Sequence, residues 1–305
     1  MSAANTTTAT SARSADDTTS DNIRGPREKP LSVASAMLFM VIFTVYFLVP
    51  IWWLLVASSK TQENILGTNG LWFSSPFKLL ANIGDVLTYQ NGLFLRWLVN
   101  SLLYAGGGAL LATLFASMAG YALSKYVFPG REVFFNTVLG GVLVPATALA
   151  LPLFLLFSKM QIVDTFWAVF LPSIVSPFGV YLARIYAAAS VPEELLEASR
   201  LDGAGEFRTF FGLATRLMAP ALVTIFLFQF VAIWNNFFLP LVMLQNERLY
   251  PITLGLYTWN STVTRSPELR IFVIVGALLS IVPLIIAFVS LQRFWRSGLA
   301  AGGVK

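Results

Sequence analysis

Hydrophobic residues fall along this chain in six long stretches separated by shorter polar ones. They run roughly over Val33–Ala57, Trp97–Ser124, Val133–Phe157, Thr165–Ala183, Leu217–Leu244 and Ile271–Leu291. A helix rises about 1.5 Å per residue, so about 20 apolar residues cross a hydrocarbon core about 30 Å thick. Every stretch is about that long or longer, and none contains Asp, Glu, Lys or Arg. The pattern predicts an all-α integral membrane bundle of six transmembrane helices. The first stretch is too long, and too poor in a small-residue cleavage site, for a removable leader, so it is expected to be retained.

The polar segments divide the rest. Residues 1–30 are rich in Ser, Thr and Ala without an apolar face, and such a segment cannot bury enough surface to offset the entropy of ordering. A disordered tail is expected there, with residues 31–305 forming the membrane domain. If the tail lies inside, Lys and Arg divide 13 inside to 7 outside, which predicts cytoplasmic N and C termini. The first outer loop, about Ser58 to Arg96, carries LWFSSPFKLL at 71–80 as a candidate interfacial helix. The third, Gln245 to Arg270, contains LYPITLGLY. The only large inner loop runs from Arg184 to Arg216.

That inner loop has the marks of a helix–turn–helix elbow. Ser190 followed by Glu193 has capping-box spacing, Pro192 suits a first turn, and a helix is expected to start near Val191. Glu193 and Glu194 suit its positive dipole end. Gly203 can take the left-handed stop, and a second helix is expected from about Gly205 toward Pro220.

Composition narrows the chemistry. Hydrophobic residues make up 56% and charged residues 11%, with a mean hydropathy of +0.72; soluble domains carry about a quarter charged residues. Cysteine and histidine are absent, which excludes disulfides, thiolate or imidazole nucleophiles and the usual soft metal sites. No metal and no cofactor is called for. An uncharged interior is a poor proton relay, a sodium site of carbonyls and hydroxyls stays open, and the phosphate-cradling GxxxxGK[ST] is missing; if solute moves uphill, the energy is expected to enter from outside the bundle. The net charge of +5 fits basic loops rather than nucleic acid, since no basic run with interleaved aromatics occurs. Gly106–Gly108 suit close helix packing. Prolines at 50, 145, 152, 172, 177, 240 and 283 favour kinked spans around a pathway.

On these features alone the elbow could be an amphipathic linker on lipid headgroups. The protein could equally be a membrane scaffold without a conduit, or an intramembrane enzyme, although the latter lacks paired carboxylates, His or Cys at depth.

EASRLDGA at 197–204 resembles the EAA motif of permease subunits of binding-protein-dependent ABC importers. NSL at 100–102, YALSKYVFPGRE at 121–132 and WNNFFLPL at 234–241 resemble the same family, and the tail LQRFWRSGLAAGGVK resembles the C-terminus of the smaller permease of maltose-type carbohydrate-uptake systems. Ser199 departs from the second Ala of the motif, and Thr215–Arg216 stand where Leu-Pro is common. The resemblance implies a multi-pass permease in a prokaryotic cytoplasmic membrane, working by alternating access on a sugar or related solute. Its implied partners are a second permease, two copies of an ABC ATPase, an extracytoplasmic solute-binding protein and membrane lipid. It implies no catalytic residue. Glu193, Glu194, Glu197, Ala198, Ser199, Asp202, Gly203 and Ala204 would form the ATPase-coupling elbow. Gly298, Ala301, Gly302 and Lys305 would reach between the ATPases, and Tyr250, Pro251, Thr253 and Gly255 would contact the binding protein. Trp234, Asn235 and Asn236 could offer stacking and hydrogen bonds to a neutral solute in the pathway.

Overall fold

The computed structural model describes residues 30–302, with side chains from Ala34 to Phe294. The predicted tail, residues 1–30, therefore lies outside the described residues except for Pro30. The chain divides into two compact units, one ending at Val49 and one from Pro50 onward. The N-terminal unit is the first part of helix α1, Pro30–Ser58, an unbroken apolar helix carrying the ring contact Phe39–Phe43 at 4.3 Å.

All the following elements belong to the second unit, which is all-α among the described residues. A short helix α2 (Gln62–Gly67) precedes α3 (Leu79–Leu102), which passes through a π-turn at Leu103–Gly107 into α4 (Gly108–Lys125). Then come α5 (Arg131–Val142), α6 (Ala146–Lys159), α7 (Phe166–Ser173) and α8 (Pro177–Ser190). The elbow helices are α9 (Glu193–Leu201) and α10 (Glu206–Thr209), the latter continued by a π-turn and α11 (Thr215–Leu217). The chain ends with α12 (Ala219–Trp234), α13 (Phe238–Met243), α14 (Ile252–Thr262) and α15 (Leu269–Gly302).

Among the described residues four helical segments are long and apolar enough to cross a membrane, and six are if each of two bent pairs counts as one span. The expected span Val133–Phe157 is one such pair, α5 and α6, bent by 102°. Pro145 explains the break: it lacks a donor and holds the preceding residue out of helical conformation. The second pair bends by 82° between α11 and α12, at the position where the apolar stretch beginning at Leu217 takes over from the elbow. That stretch breaks again after Trp234. The span expected at Thr165–Ala183 is interrupted before Pro177 and extends to Ser190.

The segment expected as an interfacial helix at 71–80 is a loop up to Lys78, with a cis Ser75–Pro76 bond. Its aromatic side chains pack on one another, Trp52 Nε1 donating to the Leu71 carbonyl at 3.0 Å and the Trp52 and Phe73 rings meeting edge-on at 5.5 Å. The aromatic density is real, but Pro76 forbids a regular helix through it.

Small residues set the packing around α4. A Cβ on Gly108 would stand 2.9 Å from Ile233, and one on Gly120 would run into the α8 backbone. This is close helix packing through glycine; of the three glycines expected to serve it, Gly107 and Gly108 do, a Cβ on Gly107 standing 3.2 Å from Phe170, while one on Gly106 would meet nothing within 4 Å. A hydrophobic cluster joins Tyr121 of α4, Ala183 and Ala187 of α8, Leu196 of α9, Phe210 and Ile225. A larger cluster centred on Phe94, Trp97, Tyr104, Trp234 and Trp259 fills the other end of the unit.

Candidate functional site

Two polar assemblies stand out, at opposite ends of the helix running through α3 and α4. The first is the elbow. Its opening helix begins at Glu193 with Pro192 as N-cap and no side-chain cap. The expected capping box is therefore absent: Ser190 is the last residue of α8, and its Oγ donates to the Tyr186 carbonyl at 2.6 Å. The span runs further than hydropathy indicated because the small residues Ala187, Ala188 and Ala189 continue the helix. Glu193, freed from capping, pairs with Lys125 at 2.8 Å.

The turn forms as expected. Gly203 has φ +75°, its N–H donates to the Arg200 carbonyl, and Ala204 N–H donates to the Ser199 carbonyl, both at 3.0 Å. This is the paired closure of a Schellman turn, which needs the left-handed conformation that glycine adopts at least cost. Ser199 and Thr209 hydroxyls meet at 2.8 Å, tying the two arms.

Leu196 alone among the side chains of α9 is fully buried. Glu194, Glu197, Ala198, Asp202 and Gly203 are exposed, and Glu194, Glu197 and Asp202 have no partner among the described residues. Beside them Leu201 is 89% and Phe207 73% exposed. The elbow thus presents unpaired carboxylates among uncovered apolar side chains, the composition of a docking surface.

A second bridge secures the far arm. Tyr126 donates to Glu206 Oε2 at 2.5 Å, and Arg200 Nε lies 3.0 Å from Glu206 Oε1. Those two hydrogen bonds hold the Glu206 carboxyl below the ordinary carboxylate range, Tyr126 contributing most. Burial, reinforced by Glu206, pushes the Tyr126 phenol up. Tyr126 and Glu206 border an apolar cavity of about 350 Å³ that also includes Met118, Tyr121 and Phe210.

The other assembly is the turn at 246–252. Trp97 Nε1 donates to the Glu247 carbonyl at 2.8 Å, Asn100 Nδ2 to those of Arg248 and Tyr250 at 2.8 and 3.0 Å, and the Tyr104 hydroxyl to that of Leu249 at 3.1 Å. Ser101 Oγ accepts from Ile252 N–H at 2.7 Å. On the opposite side Asp164 Oδ1 accepts from Gln245 and Asn246 N–H, each at 2.8 Å. The spacing 97, 100, 101, 104 puts the three α3 side chains and Tyr104 of the following π-turn on one helical face, a signal present in the sequence but masked by the apolar run around it.

The other expected site residues are dispersed. Pro251 and Gly255 are buried, Gly255 under the Trp97 indole; Tyr250 and Thr253 are half-buried. Trp234 is 2% exposed and stacks on Phe230 at 5.7 Å, so it packs within this chain. Asn236 caps the N–H of Leu239 and accepts from Thr253 through its carbonyl. Asn235 alone of the three is exposed. At the C-terminal end the backbone is helical through Gly302, while Lys305 lies outside the described residues. No cluster of metal-binding side chains occurs among the described residues.

The sequence pattern of the family described as "Binding-protein-dependent transport system inner membrane component" matches residues 112–299, which include the whole elbow. The chain belongs to that family. An arabinooligosaccharides transport system permease protein, AraQ, from Halalkalibacterium halodurans is 35% identical over 252 residues, covering 83% of this chain and 89% of that one. The lactose transport system permease protein LacG of Rhizobium radiobacter is 30% identical, covering 90% and 94%. The fold is similar to a chain in the crystal structure of a bacterial ABC transporter involved in the import of the acidic polysaccharide alginate. The TM-score there is 0.76 at 23% identity, covering 89% of this chain and 99% of that chain.

This inner membrane permease is a transport subunit and not an enzyme. As a member of a binding-protein-dependent transport family it works with a solute-binding protein and a separate ATPase.

Proposed function

We propose that this permease forms half of the translocation pathway of an importer for a neutral di- or oligosaccharide, with a second permease supplying the other half and lipid surrounding both. Residues 31–305 form the permease domain and residues 1–30 a cytoplasmic extension, with both termini in the cytoplasm. The distribution of Lys and Arg supports this orientation. It places the elbow on the cytoplasmic side and the 246–252 turn on the binding-protein side.

One observation carries the coupling role: the elbow exposes Glu194 and Glu197 on α9 and Asp202 at its C-cap without partners, beside uncovered Leu201. The elbow seats in a groove of the ATPase through Glu197, Ala198 and the Gly203 turn, while Leu196 and the bond from Lys125 to the Val191 carbonyl hold it to the membrane helices. Gly298, Ala301, Gly302 and Lys305 extend the C-terminal end toward the ATPase pair. Tyr250 and Thr253 are the members of the expected binding-protein contact that retain accessible surface, and Asn235 is the corresponding candidate for the pathway. The sugar assignment is supported by the uncharged spans and by two relatives whose names specify arabinooligosaccharides and lactose.

In the mechanism that follows, ATP-driven closure of the motor subunits moves the elbow and opens the pathway outward; the elbow transmits only the difference between its contacts in the two states. The test is uptake of labelled oligosaccharide by vesicles holding the whole complex. Glu197→Ala is expected to abolish uptake and release the ATPase during purification while the permease still inserts. Full uptake by that variant would defeat the coupling role.

A further inference from the structure

The 246–252 turn and the elbow are held by the same helix. From Trp97 to Lys125 the chain is helical without interruption except for the π-turn Leu103–Gly107, so its two sets of contacts lie about 40 Å apart along the axis. At one end Trp97, Asn100, Ser101 and Tyr104 engage five backbone groups between Glu247 and Ile252. At the other, Lys125 holds the Val191 carbonyl and Glu193, which open the elbow. Both ends join side chains to backbone or to charged partners, so moving the helix moves both segments with it.

We propose that this helix is the rod by which an occupied binding protein signals to the ATPase, and that the π-turn is its one compliant joint. The inference rests on the importer reading above. A π-turn carries one residue more than α geometry allows and leaves its carbonyls poorly paired, which is why such turns mark sites that can change register. Here it contains Gly106 and Gly107 and runs directly into Gly108. The three glycines are not equivalent. A Cβ on Gly107 would press on Phe170 at 3.2 Å and one on Gly108 on Ile233 at 2.9 Å, whereas one on Gly106 would meet nothing within 4 Å. Packing therefore accounts for Gly107 and Gly108 but not for Gly106, whose remaining property is backbone freedom.

Gly106→Ala is consequently a substitution that stiffens the joint without a clash. In the full complex reconstituted in vesicles, ATPase activity is measured with and without liganded binding protein. Gly106→Ala is expected to leave basal ATPase unchanged and to lower stimulation by about threefold or more, the scale on which single residues alter coupling. Asn100→Ala, which frees two carbonyls of the turn, is expected to lower stimulation similarly without changing the amount of assembled complex. A structural defect alone would lower basal and stimulated rates together. Full stimulation in both variants overturns the rod, and so does an equal fall of basal and stimulated rates in Gly106→Ala. A wild-type complex that neither transports nor responds to binding protein would instead overturn the importer reading itself.

Discussion

The Lys125 ammonium lies 2.8 Å from the Glu193 carboxylate and 2.6 Å from the Val191 carbonyl, with only 5% of its side chain exposed. The two contacts are unequal in consequence. Glu193 is 60% exposed, and an ion pair with one partner in water contributes about 0–1 kcal/mol. A carbonyl bonded to a charged donor in a dry environment contributes about 1.5–3 kcal/mol. Lys125→Met is therefore expected to loosen the start of the elbow and lower uptake strongly, while Glu193→Gln has little effect. Limited proteolysis between Val191 and Gly205 in the purified complex measures the loosening. Equal sensitivity of the two variants would show that the surface pair, rather than the buried ammonium, sets the elbow.

Gly203 offers a sharper local test. Its φ of +75° costs a residue bearing a Cβ about 1–2 kcal/mol, and a β-branched side chain more. Open space surrounds the position within this chain, so a distortion of the turn itself comes from the backbone and not from a clash inside the elbow. Gly203→Val is expected to displace the turn and prevent ATPase association, and Gly203→Asn to restore much of it because Asn tolerates the left-handed region. Co-purification of the ATPase with each variant reads the series; similar loss in both would point to lost contact surface instead.

The elbow was the part of this molecule most legible in its sequence. Gly203, the acidic first turn and the switch from apolar to charged residues are local signals, and local signals survive folding. The start of α9 was misread because Ser190 and Glu193 satisfy a capping spacing by residue type, while the actual partners, the Tyr186 carbonyl and Lys125, lie in another turn and on another span. Hydropathy located the six apolar stretches but not their bends, since a proline such as Pro50 sits inside a continuous helix while Pro145 opens a 102° corner. Both prolines follow Leu-Val and both are exposed, so neither the local sequence nor burial within the chain separates them. Trp234 illustrates the same limit: an aromatic followed by two amides can be read as a binding surface, although membrane aromatics more often pack, and nothing local in the sequence reveals the Phe230 ring stacked against it.

The bridge through Glu206 predicts a pH response of definite sign. Hydrogen bonds from Tyr126 and then Arg200 lower the folded-state pKa of the carboxyl, so the stabilisation is present above the unfolded value, about 4.3, and is lost as pH falls through the depressed folded value. Proteolytic protection of the far arm of the elbow is accordingly expected to stay flat from about pH 8 to about pH 5 and to fall only below the ordinary glutamate range. Glu206→Gln should be less protected throughout and should lack that acid step. A loss of protection near neutral pH in the wild type would assign control to another group.

Orientation can be settled with single cysteines, because the chain has none of its own. Gly205 and Asn91 are both exposed, and a side chain at Gly205 would meet no neighbour within 4 Å. With the elbow in the cytoplasm, a membrane-impermeant thiol reagent added outside intact spheroplasts is expected to label Asn91→Cys but not Gly205→Cys, and to label both after lysis. The reverse pattern would invert the topology and, with it, the assignment of the elbow to the ATPase.

Gly255 and Trp97 test whether the 246–252 turn is rigid by packing as well as by hydrogen bonds. A Cβ on Gly255 would stand within the Trp97 indole, and Trp97 is 1% exposed, sharing its cluster with Phe94 and Trp259. Overfilling such a site costs about 1–3 kcal/mol, so Gly255→Ala alone is expected to lower the melting temperature of the detergent-solubilised complex. Trp97→Leu also destabilises, through lost packing and loss of the donor to the Glu247 carbonyl. Because the smaller side chain makes room for the new methyl, Gly255→Ala should cost less in the Trp97→Leu background than in wild type. Residues in contact characteristically couple in this way, by about 0.5–3 kcal/mol. Strict additivity across the cycle would mean that the backbone shifts to admit the methyl, and that the hydrogen bonds of α3 alone hold the turn in place.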